Sequence, residues 1–198
     1  MLDFGPVHRR EAGIEDLAAD LNSKDLARLT NEMCDLQLGS IEDITDEVVV
    51  MVPDDPEAND KFAARPEDVG LVWTLGHVVV HTTASSEESA ALSLVLARGL
   101  PVEGRSRFEV PWEQARTVDF IRRRIEESRR MRLAILAAWP DEPHLENFYS
   151  PYPARPSMNA VGRFLGGLAH DDSHLEQLHK IVDQARHRRL ATPKQSQN

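Results

Sequence analysis

The segment VGRFLGGLAHDDSHLEQLHKIV, residues 161–182, carries apolar side chains every three or four positions, the spacing of one face of an α-helix. This stripe consists of Val161, Phe164, Leu165, Leu168, Leu175, Leu178 and Val182. It predicts a long amphipathic helix over about 157–189, with Ser157 as its N-cap. Because such a helix must bury its stripe against other elements, the segment favours a fold built by packing helices together.

Three further regions show apolar residues at helical spacing. They are about 11–52, broken near Ser23 or Gly39; about 68–98; and about 111–138, opened by Pro111. The only β-branched run of note, VVVMV at 48–52, ends at Pro53. Four long amphipathic helices that share one interior predict an all-α fold, a four-helix bundle. We expect a single domain over residues 1–190 and a disordered polar tail at 191–198.

Composition limits the classes of partner. The net charge of −10 disfavours non-specific binding to nucleic acid or to an anionic membrane. No apolar run approaches the roughly 20 residues of a membrane span, and the N-terminal residues lack the pattern of a signal peptide. The single cysteine, Cys34, fits a reducing compartment. We therefore expect a cytoplasmic protein that acts on small molecules or on partner proteins.

Two pairs of histidines stand four residues apart, His77 with His81 and His170 with His174. Residues at this spacing share one face of a helix. Neutral imidazole binds first-row divalent metals, and facing helices of a bundle are a usual place for such sites. Partly exposed polar residues also occupy such positions, so the spacing leaves open both a metal site and an ordinary helix edge.

The residues around both pairs resemble the motifs of a known family. The stretch WTLGHVVVH, residues 73–81, is similar to the second-helix signature of the DinB/YfiT-like superfamily of metal-dependent enzymes, and HDDSHLEQL, residues 170–178, is similar to its closing motif. This resemblance implies that His81, His170 and His174 hold one divalent metal ion. It also implies an up-down-down-up four-helix bundle that often forms homodimers.

The resemblance suggests an activity and its cofactors. Characterised relatives include thiol S-transferases that use bacillithiol or mycothiol, so we expect a thiol-dependent S-transferase acting on a small-molecule substrate. The expected cofactors are a divalent metal, zinc or nickel first and iron or manganese as alternatives, and a low-molecular-weight thiol. Two alternatives stay open: a metal-dependent hydrolase, and a non-catalytic stress-associated or partner-binding bundle whose metal is structural or absent.

Ligating histidines usually donate their second ring N–H to a nearby acceptor. The candidates for such supporting positions are His77, Asp171 and Asp172. An inward-pointing aspartate could instead form an ion pair, because an unpaired buried carboxylate is costly.

Other polar and aromatic residues are expected to have ordinary structural roles. The arginines of residues 122–132, together with Glu87 and Glu88, are predicted to lie on solvated helix faces. Cys34 is predicted to be a small buried residue. The tryptophans are predicted to anchor the packing: Trp73, Trp112 and Trp139.

Overall fold

The computed structural model describes residues 1–61, 63, 66–105, 107–150 and 156–191. The helices are α1 (Gly5–His8), α2 (Ile14–Ala18), α3 (Ser23–Ser40), α4 (Asp46–Val50), α5 (Leu75–Ala97), α6 (Val118–Ala137) and α7 (Ala160–Ala191), with 3-10 turns at Pro66–Asp68 and Trp112–Gln114. Within the described ranges there is no strand, and Tyr149 and Met158 form an isolated β-bridge. The predicted all-helical fold is confirmed.

The four long helices pack in a ring, in which α5 contacts α6 and α7 while α3 contacts the same two helices. Two apolar clusters fill the interior. One cluster combines the first parts of α3 and α7 with the last parts of α5 and α6. The other combines the last parts of α3 and α7 with the first parts of α5 and α6. It follows that α3 and α7 run in one direction and α5 and α6 in the other. These directions favour the up-down-down-up connectivity, which stays a prediction.

Each of the three helices after α4 begins later than the sequence predicted. α5 starts at Leu75 rather than near 68, α6 at Val118 rather than 111, and α7 at Ala160 rather than 157. A side-chain oxygen of the preceding residue accepts a hydrogen bond from a backbone N–H of the first turn in every case. The three capping residues are Thr74, Thr117 and Asn159. The predictions of Pro111 as the first turn of α6 and of Ser157 as a cap are therefore wrong.

The region predicted as one interrupted helix over 11–52 is divided into α2, α3 and α4, and α3 begins at Ser23 and ends one residue after Gly39. The predicted polar tail begins at Ala191, the last residue of α7, and its other residues lie outside the described part of the chain. Among the described helices, none is both long enough and apolar enough to span a bilayer.

Candidate metal centre

Three partly buried imidazoles meet where α5 and α7 face each other. His81 Nε2 lies 3.2 Å from His170 Nε2. One ring nitrogen from each of His81, His170 and His174 can be chosen so that all three lie within 4.8 Å of one another. The structure thus brings together the three predicted ligands, at separations at which one ion can be shared.

The close approach of α5 and α7 depends on Gly167, one turn before His170. A Cβ atom at Gly167 would lie 2.7 Å from the Cβ of Ser89, closer than such atoms can pack. The hydroxyl of Ser86 donates to the Gly167 carbonyl at 3.0 Å. Glycine at this position therefore permits the helix separation at which His81 and His170 meet.

The three imidazoles are neutral at physiological pH. Burial, together with the neighbouring imidazoles and Arg107, lowers the pKa of His81 to about 2. Burial, together with His174 and Arg107, lowers the pKa of His170 to about 3, and burial also lowers the pKa of His174. Neutral rings have lone pairs to offer, and His170 keeps a buried Nδ1 with no hydrogen-bond partner among the described residues. This donor set fits a divalent cation.

Trp73 forms an aromatic wall beside the histidines. Its ring centroid lies 4.5 Å from that of His81, 4.5 Å from that of His77 and 5.9 Å from that of His174. Trp112 in turn stacks on His77 at 5.1 Å. Of the predicted packing anchors, Trp139 is buried in the core, whereas Trp73 precedes the cap of α5 and covers the candidate ligands.

The candidate supporting residues have different surroundings. His77 is buried between the two tryptophans, and burial lowers its pKa. Asp171 lies in the core, where it accepts hydrogen bonds from Arg132 and Ser86, each at 2.7 Å. Asp171 is therefore the inward-pointing aspartate that forms an ion pair. The carboxylate of Asp172 lies outward, 2.8 Å from His8 Nε2.

The prediction of solvated charged faces is wrong for several residues. Arg124 and Arg132 are buried, at 9% and 1% exposure, and Glu88 is buried at 5%. Each has an oppositely charged partner, which offsets the cost of removing it from water. The pairs are Arg132–Asp171, Arg124–Glu87 and Arg105–Glu88. Cys34 is buried as predicted, burial raises the pKa of its thiol, and Arg132 donates to its sulfur.

Residues from the connection between α5 and α6 also reach the site, although no sequence pattern indicates them. Arg107 Nη2 lies 3.1 Å from His81 Nδ1, and Arg107 Nη1 donates to Ser85 at 2.6 Å. Glu109 pairs with Arg107 and places Oε1 3.9 Å from His81 Nδ1. Periodic patterns identify helix faces, and a connection has no such period. Gln177, whose Oε1 lies 2.8 Å from His174 Nδ1, could have been found from its spacing of three residues.

A cavity of about 660 Å³ lies beside Trp112. Its lining is mainly apolar, with two acids and one arginine. The lining residues are Val50, Val52, Glu67, Gly70, Leu71, Val72, Thr74, Trp112, Glu113, Ala115 and Arg116. None of the three candidate ligands lines this cavity, and its link to the site is Trp112, which stacks on His77.

Comparison with known proteins identifies the family of this chain. The model of a family described as the DinB superfamily matches residues 16–178, which include all three histidines and both sequence motifs. No curated protein and no solved structure matches the chain.

Proposed function

The chain belongs to the DinB superfamily, and from this premise we propose that it is a metal-dependent enzyme of the thiol S-transferase type. His81, His170 and His174 would hold the divalent ion. The observation that carries the proposal is the convergence of three neutral imidazoles from two helices, all with a ring nitrogen within 4.8 Å of the others. The metal is expected to be zinc or nickel, with iron or manganese as alternatives that imidazole also binds.

Three neutral ligands leave the charge of a divalent ion uncompensated. A bound ion in such a site can stabilise a thiolate or lower the pKa of water, which supplies a nucleophile at neutral pH. The thiol is favoured because the sequence motifs resemble those of relatives that use bacillithiol or mycothiol. A hydrolase would use water at the same position.

The surrounding side chains would control access to the nucleophile. The Trp73 ring lies against His81 and His174 and excludes water from that side of the cluster. The cavity of about 660 Å³ beside Trp112 would receive the apolar part of a small-molecule substrate. Arg107, next to His81, places a positive charge at the edge of the cluster.

Metal analysis of protein purified without chelators or nickel affinity tests the proposal. We expect about one ion per chain in the unaltered protein, and loss of that ion in His81→Ala with the helical fold retained. His187→Ala is the matched control, because His187 is exposed on α7 and should leave the metal content unchanged. Absence of metal in the unaltered protein would overturn the proposal, and unfolding of His81→Ala upon metal loss would indicate a structural ion instead.

Activity assays with and without added thiol separate the reaction classes. We expect turnover of electrophilic substrates only when a bacillithiol-like or mycothiol-like thiol is present. Turnover that needs no thiol would favour the hydrolase. A metal-loaded protein that is inactive towards both substrate classes would favour the non-catalytic bundle.

The quaternary structure is a separate proposal that derives from the family resemblance. We expect a homodimer, and light scattering coupled to size-exclusion chromatography should give twice the mass of the chain. A mass equal to one chain across the accessible concentration range would contradict it.

A further inference from the structure

We infer that Glu109 is the carboxylate that positions His81 for metal binding, an inference that rests on the proposed metal site. Glu109 lies in the connection between α5 and α6, outside both sequence motifs. It acts through the His81 ring rather than by binding the ion.

The two ring nitrogens of His81 face different groups. Nε2 faces the cluster, 3.2 Å from His170 Nε2. Nδ1 faces the α5–α6 connection, 3.1 Å from Arg107 Nη2 and 3.9 Å from Glu109 Oε1. The nitrogen directed at the other candidate ligands is therefore Nε2, and Nδ1 is the one that needs a supporting partner.

The contact with Arg107 sets the proton position in the absence of metal. A guanidinium group only donates hydrogen bonds, so Nδ1 accepts from Arg107. The single proton of the neutral ring then lies on Nε2, where it occupies the position that a metal ion would need. Binding through Nε2 requires the proton on Nδ1, and a protonated Nδ1 requires an acceptor rather than Arg107.

Glu109 is placed to be that acceptor. Its Oε2 accepts from Arg107 Nε at 3.1 Å, and its Oε1 lies 3.9 Å from His81 Nδ1, just beyond hydrogen-bonding distance. The two neighbouring aspartates of α7 are committed elsewhere, Asp171 to Arg132 and Ser86, and Asp172 to His8. Arg107 thus holds Glu109 beside the ring, and a small shift of the connection would replace the arginine donor at Nδ1 by the carboxylate acceptor.

Metal titration of the full chain, first freed of metal by a chelator, tests the inference. We expect Glu109→Ala to weaken Zn²⁺ binding by about 10- to 100-fold. Glu109→Gln should weaken Zn²⁺ binding less than Glu109→Ala does, because its amide oxygen can still accept a hydrogen bond from Nδ1. The matched control is Glu103→Gln, an exposed acid of the same connection, which should change the affinity by less than about twofold because exposed charges are screened.

The visible spectrum of bound Co²⁺ separates positioning of His81 from a general effect of charge. If Glu109 orients His81, Glu109→Ala should alter the Co²⁺ absorption bands as well as the affinity. An unchanged affinity, or a weaker affinity with an unaltered spectrum, would overturn the inference. The proposed function would survive both results if His81→Ala still loses the ion, whereas an unaltered protein that binds no metal would overturn both.

Discussion

Two neighbouring residues of α7, His170 and Asp171, belong to two different kinds of polar site. Consecutive residues of a helix point about 100° apart, so His170 faces His81 at the cluster while Asp171 faces the bundle core. Asp171 has strong partners for both carboxylate oxygens. His170 keeps a buried ring nitrogen without a partner among the described residues. A satisfied buried network stabilises one packing arrangement, whereas an unsatisfied buried donor set has capacity left for a ligand.

The two sites also respond to burial in different ways. Burial raises the pKa of Asp171, and the guanidinium of Arg132 opposes that increase. For the pKa of His170, the imidazole of His174 and the guanidinium of Arg107 act in the same direction as burial. The first site therefore keeps a charge pair inside the bundle, and the second keeps its imidazoles neutral.

The largest effect on stability should come from breaking the buried charge pair. In Asp171→Ala, Arg132 loses its partner at a position where it is only 1% exposed. We expect the free energy of unfolding to fall by about 3–5 kcal/mol, the cost of leaving a buried charge uncompensated. Urea denaturation of the metal-free protein measures this change.

The double variant Asp171→Ala with Arg132→Met provides the control, because it removes the stranded charge as well. The free energy of unfolding of the double variant should be closer to that of the unaltered protein than the value for Asp171→Ala is. A loss below about 1 kcal/mol in the single variant would show that the pair contributes little.

The second largest effect should be a loss of folding stability at acidic pH, which comes from the histidine cluster. The folded pKa values of His81 and His170 are about 2 and about 3, below the ordinary 6.5. Only the unfolded chain gains protons on these rings as the pH falls below 6.5, so their contribution to stability is present above that pH and is lost below it. We expect the metal-free protein to lose about 1.4 kcal/mol per pH unit for each such histidine.

Urea denaturation at pH 7 and pH 5.5, in the presence of a chelator, measures this slope. His170→Ala should reduce it, because one depressed group is removed and the charge effect on His81 is relieved. His187→Ala replaces an exposed histidine of the same helix and should leave the slope as it is. Equal slopes in the unaltered protein and His170→Ala would contradict the neutral cluster.

The smallest effect should come from the aspartate that faces outward. Asp172 pairs with His8 where both side chains are partly exposed, at 26% and 34%. We expect Asp172→Ala to change the free energy of unfolding by no more than about 1 kcal/mol and to leave zinc affinity unaltered. If a zinc titration of this variant shows about tenfold weaker binding, Asp172 belongs to the metal site and the prediction is contradicted.

Sequence periodicity predicted the helices and the two histidine pairs that each share a helix face. The apolar stripe of α7 and the spacing of four between His170 and His174 are local properties, since both follow from 3.6 residues per turn. The starts of α5, α6 and α7 were placed several residues too early, because apolar spacing continues past the capping residues. The family motifs supplied the ligand from α5, and the structure places His81 beside the other two.

The largest difference between the sequence prediction and the structure is the burial of charged residues on helix faces. Arg132 belongs to a run of arginines that is typical of a solvated surface, and only the opposite position of Asp171 on another helix explains its burial. Likewise, nothing local to Arg107 or Glu109 links them to His81, from which they are separated by most of α5 and part of a connection.

By itself, the sequence determined the helical class, the apolar faces and the pairing of His170 with His174, because these depend on contacts between residues a few positions apart. Only the tertiary structure decided which helix faces His170, which aspartate is buried with an arginine and which connection covers His81. Those outcomes depend on packing between segments that are distant in the chain. The stabilising free energy of burial and pairing is distributed over the whole bundle, so no single segment carries a periodic sequence pattern that predicts it.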